Sequence, residues 1–121
     1  MADFNELGKQ GEDFASSFLA KKGYKIVARN WKMSANEIDI IAEDENFMVF
    51  VEVKTRSENY LENPNSAITA SKQKSIIKTA DQYIRRYNVD KESRFDVITI
   101  IKSNGKFEID HVENAFYPTL R

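Results

Sequence analysis

Leu7, Gly11, Phe14, Ala15, Phe18 and Leu19 recur at the spacing of one helix face. They predict a helix from about Asn5 to Lys22, with Asn5 as N-cap and Gly23 as stop. Tyr24 to Trp31 alternates like a strand, with Tyr24, Ile26 and Ala28 on one side and Val27 and Trp31 on the other. Glu37 to Ala42 predicts a second strand, with Glu37 and Asp39 on one face and Ile38 and Ile40 on the other. Glu43, Asp44, Glu45 and Asn46 form a polar turn, and Phe47 to Thr55 returns as a third strand. In that strand Val49, Val51 and Val53 share one face; Met48, Phe50, Glu52 and Lys54 share the other. Both faces begin apolar, which predicts a strand inside the sheet. Ser57 to Asn65 is polar and loop-like, with Pro64 suited to opening a helical turn. Ile76, Ile77, Ala80, Tyr83, Ile84 and Tyr87 then mark the inner stripe of a helix from about Ser71 to Tyr87. Lys74, Lys78, Arg85 and Arg86 fall off that stripe. Phe95 to Ile101 is a β-branched strand, Asn104-Gly105 a hairpin turn, and Phe107 to Val112 the last strand. Strand, long helix, strand implies a right-handed parallel crossover. The expected fold is α/β: a mixed sheet flanked by helices, in the order α-β-β-β-α-β-β, as one domain over residues 1–121.

Composition narrows this picture. Hydrophobic residues make up 41% of the 121, enough for one real core. With no cysteine, disulfides, zinc-thiolate sites and thiol nucleophiles are excluded. No apolar run approaches a membrane span, and Met1 to Gln10 lacks the apolar stretch of a signal peptide. The expected compartment is the cytoplasm.

The net charge of −1 argues against a strongly basic nucleic-acid binder, yet the charges are unevenly placed. Residues 36–52 hold six acids and no Lys or Arg; residues 54–94 hold nine bases against five acids. An acidic centre followed by a basic segment suits a cation site beside a polyanion site; a mixed solvated surface would look the same.

Glu52 and Lys54 lie two apart at the end of an otherwise apolar strand face. A Glu–Lys pair could satisfy both charges. Asp39 precedes Glu52 by twelve intervening residues, enough for a tight hairpin to set the two acids side by side. Carboxylates so close repel unless a cation joins them, and oxygen-only ligands select a hard ion such as Mg²⁺ or Mn²⁺. Such an ion polarises a phosphoryl oxygen and acidifies a bound water. Lys54 could orient that water or neutralise charge developing on phosphate. Two acids and a lysine are thus a minimal toolkit for phosphodiester hydrolysis without histidine, and the chain has only His111.

Asp39 followed by Glu52-Val53-Lys54 resembles the PD-(D/E)xK motif of restriction-endonuclease-like nucleases. Further segments are Gly8-Lys9-Gln10-Gly11-Glu12, Gly23-Tyr24, Arg29-Asn30-Trp31, Glu37-Ile38-Asp39, Phe50 to Arg56, the Lys72/Lys74 helix start and Arg94-Phe95-Asp96. Together they are similar to the YraN-like family of small bacterial endonuclease-like proteins, related in fold to Holliday junction resolvases. The likeness runs from about Asn5 to Ile101. It implies a restriction-endonuclease-like fold and Mg²⁺- or Mn²⁺-dependent hydrolysis of duplex or branched DNA. It implies Asp39, Glu52 and Glu12 as metal ligands, helped by the Val53 carbonyl, with Lys54 as catalytic lysine. Asn36 departs from the family's usual glycine before Glu-Ile-Asp; Asn tolerates left-handed backbone, so the turn is expected to survive. A homodimer is expected by analogy with resolvases, which cut two strands.

Arg56, Lys72 and Lys74 are the candidate phosphate contacts, against ordinary ion pairs or a solvated helix end. Arg94 joins them if it faces phosphate and leaves them if it pairs with Asp96. Glu37 is either an acid beside the site or a strand-edge residue. Trp31 and Phe47 suit the core, and His111 a structural role. Two other functions compete: a non-catalytic nucleic-acid-binding or scaffold protein that keeps the nuclease fold, and an interaction module using the acidic tip Glu43–Glu45.

Overall fold

The computed structural model describes residues 4–57 and 68–118. Its elements are α1 (Phe4–Lys21), β1 (Lys25–Met33), β2 (Asn36–Glu43), β3 (Phe47–Ser57), α2 (Ala70–Tyr87), β4 (Glu92–Ser103) and β5 (Lys106–Phe116). The order α-β-β-β-α-β-β and the mixed sheet are as expected. One sheet carries the strands in the order β1-β2-β3-β4-β5. The β3–β4 pair is parallel; the other three pairs are antiparallel.

Each element ends for a visible reason. α1 starts at Phe4, so the backbone of Asn5 already lies within the helix. At its far end Gly23 takes φ 102, while its N–H bonds the Ala20 carbonyl and the Tyr24 N–H bonds the Leu19 carbonyl. That left-handed step satisfies the last carbonyls, which a residue with a Cβ would do under strain. Asp44 Oδ1 accepts from the N–H groups of Asn46 and Phe47, closing the β2–β3 turn. Thr69 caps α2 through the Lys72 N–H, and Asn88 at φ 50 ends it. Asn104 and Gly105, both at positive φ, turn β4 into β5 as predicted. The segment 58–67, with Pro64, lies outside the described residues; Ser57 itself closes β3.

The two sheet faces bury separate cores. On one, Ala15 and Leu19 of α1 pack with Ile40, Ala42, Val49, Val51, Ile98 and Ile100. On the other, Ile76, Ala80 and Tyr83 of α2 pack with Ile38, Ile41, Met48, Phe50, Phe95, Val97 and Phe116. The result is three layers, helix on sheet on helix, with β3 central as its two apolar faces predict.

Strict alternation fails twice in β1 and once in β2. A register shift at Val27 moves Ala28 to the α2 side, where Trp31 also packs. Ile38 packs on the α2 side and Ile40 on the α1 side, not together as alternation predicts. The break in β2 falls on Asp39 and the second in β1 on Asn30, whose φ is 51. Because Arg29 pairs with Ile40 and Trp31 with Ile38, Asn30 and Asp39 occupy the same rung.

The sheet also forks there. The β2–β3 ladder stops at Ile40–Val51. Beyond it Asn36 to Asp39 stays with β1, while Glu52 to Ser57 stays with β4. α1 reaches the fork through Gly11, where an added Cβ would stand 2.0 Å from Thr55 Oγ1 and 2.9 Å from Thr55 Cβ. Asn36 has no left-handed turn role, since the positive φ belongs to Ser34; its Oδ1 instead accepts from Ser75 Oγ at 2.8 Å, tying β2 to α2. Among the described residues, no helix is long and apolar enough to cross a membrane.

Gly11→Ala should destabilise the protein. Overpacking against Thr55 costs about 1–3 kcal/mol, more than the ~1 kcal/mol that Ala gains over Gly in a helix. Urea denaturation should show a lower midpoint for Gly11→Ala and partial recovery in Gly11→Ala/Thr55→Ala. An unchanged midpoint would mean that α1 does not need this approach.

Candidate metal centre in the sheet fork

Asp39 holds the centre of the fork. Its Oδ2 accepts from the Val53 N–H at 2.8 Å, replacing the backbone acceptor that β2 no longer offers. In an extended strand a residue's N–H and C=O point to the same edge, so the Val53 carbonyl also faces the gap.

Glu12 arrives from α1 and Glu37 from β2. One carboxylate oxygen each from Glu12, Glu37 and Asp39 lie within 4.8 Å of one another. The amide nitrogen of Asn30 donates to Glu12 Oε1 at 3.0 Å and to Glu37 Oε2 at 2.8 Å. Arg29 stands 3.9 Å from Glu12 but 2.8 Å from Asp13, and Lys32 stands 3.9 Å from Glu37.

Glu52 is the fourth acid, its side chain 14% exposed. It belongs to the same electrostatic group as Asp39 and Glu12 but leans toward Lys72, whose Nζ is 3.7 Å away. Lys54 follows two residues later in β3, half-buried and paired across the ladder with Thr99.

Burial, and next the charge of Glu52, push the Asp39 carboxyl up to about 8, with Glu12 and Glu37 adding to the rise and the Val53 N–H opposing it. Burial raises Glu52 as well, against the pull of Lys72. Burial thus disfavours the charged form of both groups, and neighbouring acids add to that at Asp39. The donor set is oxygen only, the oxygens are close enough to share one ion, and the charge is in excess. That fits a hard divalent cation such as Mg²⁺ or Mn²⁺.

The structure therefore brings Asp39, Glu12 and Val53 together as the sequence anticipated, with Glu52 beside them. It adds Glu37 as a full member of the acidic trio. Sequence reasoning missed Asn30; an asparagine inside a strand, where that residue type is disfavoured, was the available signal.

The candidate phosphate contacts divide. Lys72 stands at the rim on Glu52, Lys74 is exposed on the same helical turn, and Arg56 is half-buried with Nη1 on the Thr55 carbonyl. Arg94 is corrected: it is no surface contact. Its side chain is 9% exposed and forks onto Asp96, with Nε to Oδ1 at 2.9 Å and Nη2 to Oδ2 at 2.8 Å. It pairs with Val49 in the ladder, four residues short of Val53, about 13 Å along the strand. Tyr24, His111 and the Asn114 N–H complete that buried network, and Lys22 Nζ donates to His111 Nδ1. Burial alone would raise Asp96, yet bonds from His111 and Arg94 hold it below its ordinary value. The acidic tip is also engaged, Glu43 with Lys91 at 3.3 Å and Asp44 within its turn.

The raised Asp39 fixes the sign of a pH effect. Above its ordinary 3.8 the unfolded chain has lost a proton that the folded chain retains up to about 8, so stability falls as pH rises through that window. In chelator, the urea midpoint of the wild type should drop between roughly pH 5 and pH 8, and Asp39→Asn should flatten the drop. A wild-type midpoint rising over that range would contradict the raised carboxyl. Arg94→Met leaves Asp96 buried without its main partner and should cost about 3–5 kcal/mol in the same assay.

The chain was also compared with known proteins. Residues 11–100 match the model of the Uncharacterised protein family UPF0102. A UPF0102 protein of Bacteroides thetaiotaomicron is 47% identical over 120 residues, 99% of both chains. One of Parabacteroides distasonis is 44% identical over 121 residues, all of both chains. One of Flavobacterium psychrophilum is 44% identical over 117 residues, 97% of this chain and 98% of that one. The relatives match along nearly the whole chain and the family model covers every acid of the fork, and the chain belongs to the UPF0102 family.

Proposed function

We propose that this protein is a divalent-cation-dependent endonuclease that hydrolyses phosphodiesters of duplex or branched DNA. The observation that carries this reading is the convergence of Glu12, Glu37 and Asp39 on one gap, with Glu52 acting on Asp39 from β3, the strand that also carries Lys54. Burial and the charges of Glu52, Glu12 and Glu37 raise Asp39 to about 8, while Lys72, Arg29 and Lys32 stand 3.7–3.9 Å from Glu52, Glu12 and Glu37.

Asp39, Glu12 and Glu37, with the Val53 carbonyl, would hold Mg²⁺ or Mn²⁺, and Glu52 closes the set from β3. When bound, the ion supplies Lewis acidity to a phosphodiester and a more acidic water. The protein's own groups do the rest. The Val53 N–H fixes the Asp39 carboxyl in the gap through Oδ2. Glu52 of β3 accepts a proton or a water hydrogen. Lys54, two residues along the same strand, would bring a positive charge to offset that building on a phosphoryl group. Lys72 and Lys74 at the start of α2, with Arg56 at the end of β3, provide the local positive field that the net charge of −1 conceals. A second copy of the chain would supply the second cut of a branched substrate.

The test is cleavage of duplex, single-stranded and four-way-junction DNA with Mg²⁺ or Mn²⁺, and with chelator. Wild type should cleave at least one substrate only with the ion. Glu52→Ala and Lys54→Ala should each lose about 10²-fold or more. Absence of cleavage by the wild type, or full activity in Glu52→Ala, defeats the proposal.

A further inference from the structure

Asn30 sits where a strand residue is ordinarily extended, yet its φ is 51. Asparagine visits that left-handed region more readily than most residues. The residue shares its rung with Asp39, and β1 and β2 both lose their alternation there. A primary amide carries two hydrogens on one nitrogen. Both are committed here, one to Glu12 Oε1 at 3.0 Å and one to Glu37 Oε2 at 2.8 Å. The exchanged orientation would set a carbonyl oxygen against two carboxylates, so the acids themselves fix which way the amide points.

We propose that Asn30 is a positioning residue for cation binding: its amide holds Glu12 of α1 and Glu37 of β2 at the spacing at which they share an ion with Asp39. The inference rests on the metal-dependent reading above. The choice of residue has a physical reason. A lysine or arginine at this point would order the same two acids by cancelling their charge and would compete with the ion. A neutral amide orders them and leaves the charge in place. Arg29 and Lys32 fit this division, since each stands 3.9 Å from its acid of the pair while the amide makes both short bonds. Asn30 is exposed, so the bridge adds little to folding. Its effect falls on the arrangement of Glu12 and Glu37 and hence on affinity.

The experiment is calorimetric titration of the full chain with Mn²⁺ alone. It compares wild type, Asn30→Gly, Glu37→Ala and the double variant. Glycine keeps the left-handed backbone and removes only the amide. Asn30→Gly should bind Mn²⁺ about tenfold more weakly, the scale of losing a hydrogen bond that orients a metal ligand. Its urea midpoint in chelator should stay close to that of the wild type. The double variant should lose less than the sum of the two single losses, because the amide acts in part through Glu37. Wild-type affinity in Asn30→Gly, or losses that simply add, overturns the positioning role and leaves the metal-dependent reading standing. A wild type that binds no Mn²⁺ overturns both.

Discussion

Past the Ile40–Val51 pair, β3 has a neighbour on one side only, and the Val53 N–H would face an open gap. The Asp39 carboxylate fills that vacancy. An orphaned backbone donor inside a protein is costly, so a side-chain acceptor at this position is close to obligatory. Using an aspartate for the purpose sets a carboxyl group among other acids, where its charged form is disfavoured. Everything around the fork follows from accommodating it.

The accommodation is asymmetric. At the far end of the sheet, the buried Asp96 receives a bidentate guanidinium, an imidazole and a backbone N–H, and is held below its ordinary value. At the fork, the half-buried Asp39 receives one backbone N–H and three more acids. The same residue type in the same sheet is thus stabilised as an anion at one end and strained as an anion at the other. The first arrangement is what a structural carboxylate requires. The second is the kind of perturbed group that marks candidate functional positions.

Both helices act on the fork as well as on the core. α1 closes on β3 at Gly11, and the next residue, Glu12, enters the gap. α2 sends Ser75 to Asn36 and Lys72 to Glu52 from the other face. The strands splay only where the helices stand ready on either side, so the apolar packing of the two faces also sets the positions of the acids.

The sequence by itself determined the elements and their order, because apolar periodicity reports directly which face of each segment is buried. Gly23, Asn104 and Gly105 marked their turns for the same local reason, a backbone conformation few residue types accept. Asp39, Glu52 and Lys54 were legible too, since charges at the ends of apolar strands need an explanation. Only the tertiary structure decided how the acids group. Strict alternation put Ile38 and Ile40 on one face, and the irregular rung of Asn30 and Asp39 separated them. Arg94 read as a basic residue near the site until the parallel register carried it to the far end and buried it on Asp96. Glu37 and Asn30 came into the site in the same way, through pairings between strands and a helix that are distant in the chain. Periodicity describes a segment's own faces; register, splay and helix placement are set by contacts between segments, and those choose which charges meet.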